Sequence, residues 1–234
     1  MFAMRQRRRI AANEAGYSPA YGLAEAARYL RLPAATLRSW VLGREYPTAE
    51  GASRFRPLIR PAFQQPPLLS FWNLIEAHVL RSLRTEHGVP VKAVRTALAF
   101  AEKQLEIDRL LLREELRTHA GGLFLERYGE LINLSASGQL AMRRLLTEHL
   151  ERVEWDPSQF PVRLYPFLPV ASDKRPIAID PRISFGRPVV LRRGVSTSAI
   201  AERIDVGETV EDLAADYDLN PAEIEQAVIY ERAA

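Results

Sequence analysis

Apolar residues recur along this chain at two spacings, and each marks a different kind of element. Leu23, Ala26, Ala27 and Leu30 fall three, four and seven apart, which predicts a helix over residues 21–30. Arg31, Leu32 and Pro33 interrupt it, and a second short helix follows over residues 34–42 with Leu37, Trp40 and Val41 inward. Helical spacing returns over residues 70–86, on Phe71, Leu74, Ile75, Val79 and Leu83. After the break at Gly88-Val89-Pro90 it resumes over 91–104, on Val91, Val94 and Leu98. Residues 137–154 form a further helix with Leu140, Leu145 and Val153 inward. Between these helices, Leu123, Leu125 and Arg127 alternate with Phe124 and Tyr128 ahead of Gly129-Glu130, which predicts a β-hairpin over 121–134. Residues 106–119 read equally as helix or strand.

Five prolines between residues 156 and 176 forbid a long helix and predict an extended connector. Beyond it, Gly186 to Val195 has a strand-turn-strand pattern. Three short helices follow, over 197–204, 209–217 and 221–231. The last begins with Asn220 as N-cap, Pro221 at the first position and Glu223 at the third, a capping signature. Leu213, Ala214, Tyr217, Leu219, Ile224, Ala227 and Val228 supply a trihelical core.

The expected fold is mainly α within an α+β class. A flexible basic arm (1–19) precedes a winged helix-turn-helix domain (20–105), and a small central sheet with a helix (106–155) follows. The proline-rich connector (156–176) then leads to a β-ribbon with a trihelical, helix-turn-helix-like module (177–234).

Charge changes the picture more than composition does. Apolar residues make up 47% and charged residues 26%, as in ordinary globular proteins. Residues 1–60, however, carry eleven Arg against four acids, whereas residues 204–234 carry one base against nine acids. The N-terminal end suits a polyanion and the C-terminal end repels one. The two short helices across a tight turn form a helix-turn-helix pattern whose second helix is expected to expose Thr36, Arg38 and Ser39 to base edges. Arg44, Arg54, Arg56 and Arg60 then line a loop or short hairpin, a basic wing suited to phosphates. The last two helices repeat the pattern, but Glu223 and Glu225 stand where a recognition helix would meet DNA, so that module reads as protein-binding or dimerising.

No catalytic chemistry is visible. There is no cysteine, and His78, His87, His119 and His149 have no metal-ligand spacing. The phosphate-binding glycine motifs and the nucleophile elbow are missing, and Glu114 and Glu115 are adjacent, so they cannot form a facing carboxylate pair. No metal or cofactor is expected, and the chain reads as a binding protein. No apolar run approaches the ~20 residues of a bilayer span, and no signal-like stretch follows the basic start, which fits a cytoplasmic protein with no membrane partner.

Two resemblances sharpen this reading. Gly22-Leu23-Ala24-Glu25-Ala26-Ala27, Thr36-Leu37-Arg38-Ser39-Trp40 and Glu86-His87-Gly88-Val89-Pro90 resemble a MerR-like winged helix over residues 20–100. No Cys metal site follows, which argues against metal sensing. Ile179-Asp180-Pro181, Gly186-Arg187-Pro188-Val189, Gly194-Val195, residues 206–213 and residues 219–227 resemble a small antitoxin-associated domain. Together they make the chain similar to a VapB-type antitoxin. That resemblance implies operator DNA and a PIN-like nuclease toxin as partners, and two-fold operator reading implies a homodimer. For the toxin-binding surface, the aromatic and apolar residues of the connector, Phe160, Leu164, Tyr165, Phe167 and Leu168, are candidate anchors. Arg187, Arg192 and Arg193 could reach carboxylates that hold a nuclease metal. The alternative is a MerR-like transcription regulator with a small-molecule ligand and no toxin.

Overall fold

The structure, a computed structural model, describes residues 14–48, 51–55, 57–84, 91–113, 116, 119–132, 135–166 and 175–233. The first two expected helices are α1 (Leu23–Tyr29) and α2 (Ala34–Leu42). Tyr21 and Gly22 are not helical. They form β1 (Tyr21–Gly22), paired antiparallel with β5 (Pro67–Leu69), which also pairs with β4 (Phe63–Gln64). Tyr21 is carried into the core there, edge-on to Tyr29 with ring centroids 6.2 Å apart. The α1–α2 turn closes because Arg31 adopts a left-handed conformation (φ 51) and the Leu32 amide reaches back to the Ala27 carbonyl at 2.9 Å. Gly43, at φ 75, ends α2 and releases the chain into the hairpin β2 (Arg44–Thr48) and β3 (Gly51–Phe55), in register from Arg44↔Phe55 to Thr48↔Gly51.

The centre of the molecule is α3 (Phe71–Arg84). Phe71, Leu74, Ile75, Val79 and Leu83 are buried as expected, but so are Asn73, Glu76, His78 and Ser82. A helix walled in on all sides must satisfy its polar groups internally. Asn73 accepts from the Ser70 amide at 3.1 Å and donates to the Arg60 carbonyl (2.9 Å) and to Glu76 (2.8 Å). Glu76 is paired with Arg109 at 2.9 Å.

α4 (Val91–Leu105) leads to a 3-10 turn at Leu110–Leu112, whose three leucines are all buried. The expected hairpin over 121–134 is instead a helix, α5 (His119–Leu131), packed on α4. Gly121, Phe124, Leu125, Tyr128 and Gly129 are buried among its described residues, a helical spacing, and Phe124 stacks on Tyr128 one turn later at 5.9 Å. Gly129 is no turn residue. It lies buried in the helix, where its missing side chain admits the Gln139 amide.

α6 (Ala136–Leu150) starts at Ser135, whose hydroxyl accepts from the Gly138 amide at 3.2 Å. It buries Met142, Leu146 and Leu150, whereas Leu140, expected inside, is 69% exposed. Val153 lies beyond the helix in β6 (Val153–Trp155), paired with β7 (Pro161–Leu164). Residues 153–166 are thus folded rather than an extended connector: Pro161 opens a strand, and Asp156 closes the turn by accepting from the Ser158 and Phe160 amides at 2.8 and 3.0 Å.

The C-terminal part has a three-stranded sheet, with β9 (Val189–Val190) between β8 (Ile177–Ala178) and β10 (Val195–Ser196). The helices α7 (Thr197–Asp205), α8 (Val210–Tyr217) and α9 (Pro221–Arg232) follow. Val190, Ile200, Leu213, Leu219, Ile224, Ala227 and Val228 form a second core, separate from the main one. At the N-terminus of α9, Glu223 accepts the Asn220 amide at 2.8 Å, as the capping signature requires.

Candidate nucleic-acid interface

The tight turn and the core fix which side of α2 can meet a ligand. Thr36, Leu37, Trp40 and Val41 point inward, and Ala34, Ala35 and Arg38 outward. Arg38 is exposed and makes no ion pair among the described residues. Ser39 is half-buried, its hydroxyl donating to the Thr36 carbonyl at 2.8 Å. Thr36 itself is only 6% exposed and cannot reach a base edge from this position. It stands four residues before Trp40 and shares its inward direction.

The basic hairpin is tied to this helix. The amides of Leu58 and Ile59 both donate to the Trp40 carbonyl, at 2.7 and 3.1 Å, so the returning strand is pinned to the end of α2. Arg44 is exposed at the start of β2, and Arg54 stands on β3 opposite Glu45. Arg56 lies outside the described residues, as do Arg5, Arg7, Arg8 and Arg9 of the basic arm. Residues 14–17, expected within that arm, form a helical turn, and Tyr17 packs edge-on to Trp72 with centroids 5.8 Å apart. Arg60 is exposed but lines a cavity with Trp72, Arg109 and Phe160.

Sequence patterns did not reveal how the C-terminal module sits on the helix-turn-helix. Arg28 of α1 pairs with Glu231 of α9 at 3.0 Å, and Arg31 donates to the Tyr230 carbonyl at 3.3 Å. The Tyr230 hydroxyl donates to the Tyr29 carbonyl at 3.0 Å, and the Tyr21 hydroxyl to the Gly186 carbonyl at 3.0 Å. Burial pushes all three phenols well above their usual pKa, so they remain hydroxyl donors at neutral pH. Part of the N-terminal arginine surplus is therefore spent on the acidic C-terminal helix. The opposite charges of the two ends were the one signal that could have disclosed it.

The candidate partner-binding residues are scattered. Phe160 is half-buried and stacks on Trp72 at 5.3 Å. Leu164 is completely buried, bridged to Ile179, and so is a core residue rather than an anchor. Tyr165 is half-buried and donates to Glu154 at 2.9 Å. Phe167 and Leu168 lie outside the described residues. Arg192 is held by Glu223 at 3.1 Å and Arg193 is paired with Asp218, so both brace α8 and α9. Arg187 alone of the three is exposed without an ion pair among the described residues. Beside it the structure adds Phe185, 91% exposed on a turn where Ser184, Phe185 and Gly186 all have positive φ (47, 56 and 76). The turn is braced by buried Asp180. Burial opposes its charge, but hydrogen bonds from Arg182 outweigh that and hold its pKa below the usual value.

Comparison with known proteins places this architecture. A family described as "Putative DNA-binding HTH domain" matches residues 19–98, and "Protein of unknown function (DUF433)" matches residues 177–230. "Putative antitoxin VapB45" of Mycobacterium tuberculosis (strain ATCC 25618 / H37Rv) is 28% identical over 236 residues, covering 90% of this chain and 92% of the relative. "Uncharacterized protein Rv2308" of that strain is 30% identical over 220 residues, covering 90% and 89%. This chain belongs to their family. The crystal structure of Rv2018 from Mycobacterium tuberculosis shares the fold, with a TM-score of 0.65 and 24% identity over 90% of this chain and 98% of that one. In this family architecture, α5, α6 and the β6–β7 hairpin lie outside both domain matches.

Proposed function

We propose that the protein is an antitoxin that binds operator DNA to repress its own synthesis and neutralises a PIN-like ribonuclease toxin. The observation that carries the DNA half is the outward face of α2, with Arg38 exposed and in no ion pair among the described residues, beside a basic hairpin pinned to the same helix. Arg38 reads bases in the major groove, while Arg44, Arg54 and Arg56 grip phosphates and supply affinity without sequence information. Two copies bind one palindromic site as a homodimer, since a single helix reads only a few base pairs.

The toxin half rests on similarity to VapB45 and on the turn carrying Phe185 and Arg187. A left-handed backbone at Ser184 and Phe185 costs free energy, and here it keeps an aromatic ring in solvent. Aromatic and arginine side chains on a rigid support are the usual anchors of protein interfaces. The chain itself acts by binding, without catalysis. Co-expression with a nuclease encoded beside its gene tests the reading. The nuclease should co-purify, its RNA cleavage should be suppressed, and the complex should retard operator DNA. Failure of the two proteins to associate would remove the toxin half, and failure to retard any promoter fragment of its own operon would remove the DNA half.

A further inference from the structure

One cavity of about 360 Å³ has no role in the reading above. Its walls come from parts far apart in sequence: Tyr17, Arg60, Trp72, Arg109, Arg113 and Phe160. Its volume is that of a small-molecule site. Among the described residues of the lining, Asp108 is the one carboxylate against three guanidinium groups.

The lining is built and held. Trp72 and Phe160 stack at 5.3 Å, and Tyr17, 55% exposed as a residue, meets Trp72 edge-on. The Arg109 guanidinium lies 6.0 Å from the centroids of both Tyr17 and Trp72. It is oriented from behind by buried Glu76, which accepts from its Nε at 3.0 Å and is itself fixed by Asn73 at 2.8 Å. Arg109 also sits in the left-handed region (φ 55, ψ 56), a strained backbone for a non-glycine residue. Arg113 lies 5.3 Å over the Phe160 ring, and among the described residues its guanidinium makes one hydrogen bond, a long one of 3.4 Å to the Asp108 carbonyl. Arg60 makes no ion pair among the described residues. The fold therefore strains its backbone to aim one arginine, and leaves two more cations beside an exposed ring.

We propose that this cavity binds a small anion that carries both an aromatic ring and a phosphate or carboxylate group. The ring packs on Tyr17, and the anionic group is held by Arg60 and Arg113, while Arg109, its charge paired with Glu76, forms part of the wall. Guanidinium pairs with phosphate and carboxylate bidentately, and the Trp72 and Phe160 rings give the pocket an apolar wall. The inference is independent of operator and toxin binding.

Calorimetric titration of the full chain tests it, with adenosine 5′-monophosphate, benzoate, adenosine and inorganic phosphate as probes. At least one of the two ring-bearing anions should bind in the micromolar to submillimolar range, and which one does tells phosphate from carboxylate. Adenosine and phosphate alone should bind far more weakly. R113Q should weaken the binding about tenfold or more, as expected for one charge-assisted hydrogen bond, without lowering the melting temperature. Y17L should weaken a ring-bearing probe but leave phosphate unaffected. The site is refuted if neither ring-bearing anion binds at millimolar concentration, or if R113Q binds as the parent does. It is refuted equally if phosphate alone binds as tightly as the nucleotide. Binding of only a 5′-phosphorylated oligonucleotide would assign the surface to nucleic acid and refute a small-ligand site.

Discussion

Arg38 is the side chain whose exposure carries the most functional weight. Arg38→Ala should cost about 1–3 kcal/mol in specific DNA binding and relax base preference at one position if the arginine pairs with guanine. Arg44→Ala should weaken all sequences alike and reduce the salt dependence. Fluorescence anisotropy with operator and scrambled duplexes, at several salt concentrations, separates the two roles. Arg38 was legible from sequence because it lies opposite Leu37 and Trp40. The same geometry excludes Thr36, once Trp40 is known to be inside. A second residue-scale expectation concerns the paired imidazoles of His78 and His149, whose rings lie 5.1 Å apart. Burial above all, then His149 and nearby arginines for His78 and nearby arginines for His149, lowers their pKa values from 6.5 to about 3 and about 4. The unfolded chain takes up these protons near pH 6.5, while the folded chain excludes them until much lower pH. Stability is therefore full above about pH 6.5 and falls as the pH drops toward 4, by up to about 1.4 kcal/mol per pH unit for each group. Melting temperatures across this range should show the fall, and His78→Gln should flatten it.

At the scale of elements, α5 is the place where sequence reading chose the wrong period. Phe124, Leu125 and Tyr128 satisfy helical spacing, yet Leu123, Leu125 and Arg127 satisfy alternation as well, and Gly129-Glu130 suited a turn beside the glycines at 121 and 122. Contact with α4 and α6 decided for the helix, since a helical turn buries Phe124 and Tyr128 on the same face. The glycines now carry opposite expectations. A Cβ on Gly121 would lie 1.8 Å from the Leu116 carbonyl, so Gly121→Ala should destabilise by about 1–3 kcal/mol. A Cβ on Gly122 would meet only the Arg143 guanidinium at 3.3 Å, which can swing aside. Gly122→Ala should then be neutral or raise stability by up to about 1 kcal/mol through helix propensity. Chemical denaturation of the two variants checks both. The C-terminal helices were readable because their ends carry local capping chemistry, which acts within four residues and needs no tertiary partner.

For the whole molecule, the decisive contact is the docking of α9 on α1. Tyr230→Phe removes the hydrogen bond to the buried Tyr29 carbonyl and should cost about 1–2 kcal/mol in thermal stability. The Arg28–Glu231 pair is partly exposed and should contribute less than about 1 kcal/mol. Phe185 offers a sharper separation of stability from function. Phe185→Gly relieves a left-handed backbone, so the chain should melt at the same temperature or slightly higher. If the turn is an interface anchor, the same variant should lose nuclease capture in a pull-down. Light scattering at micromolar concentration should give a homodimer, twice the 26.5 kDa chain mass.

By itself the sequence determined what depends on neighbours close along the chain: the two short helices and their tight turn, the capped helices at the C-terminus, and the concentration of arginine at one end and acid at the other. Tertiary structure decided what depends on surfaces distant in sequence. It turned a period-2 pattern into a helix, drew Leu164 into the core, and bound Arg192 and Arg193 to α8 and α9. It also left Phe185 bare on a strained turn, and gathered Tyr17, Arg60, Arg109 and Phe160 around one cavity. The physical reason is the same in each case. Capping, turn chemistry and helix periodicity are settled by hydrogen bonds a few residues long, whereas burial and ion pairing depend on which surfaces the whole fold brings together.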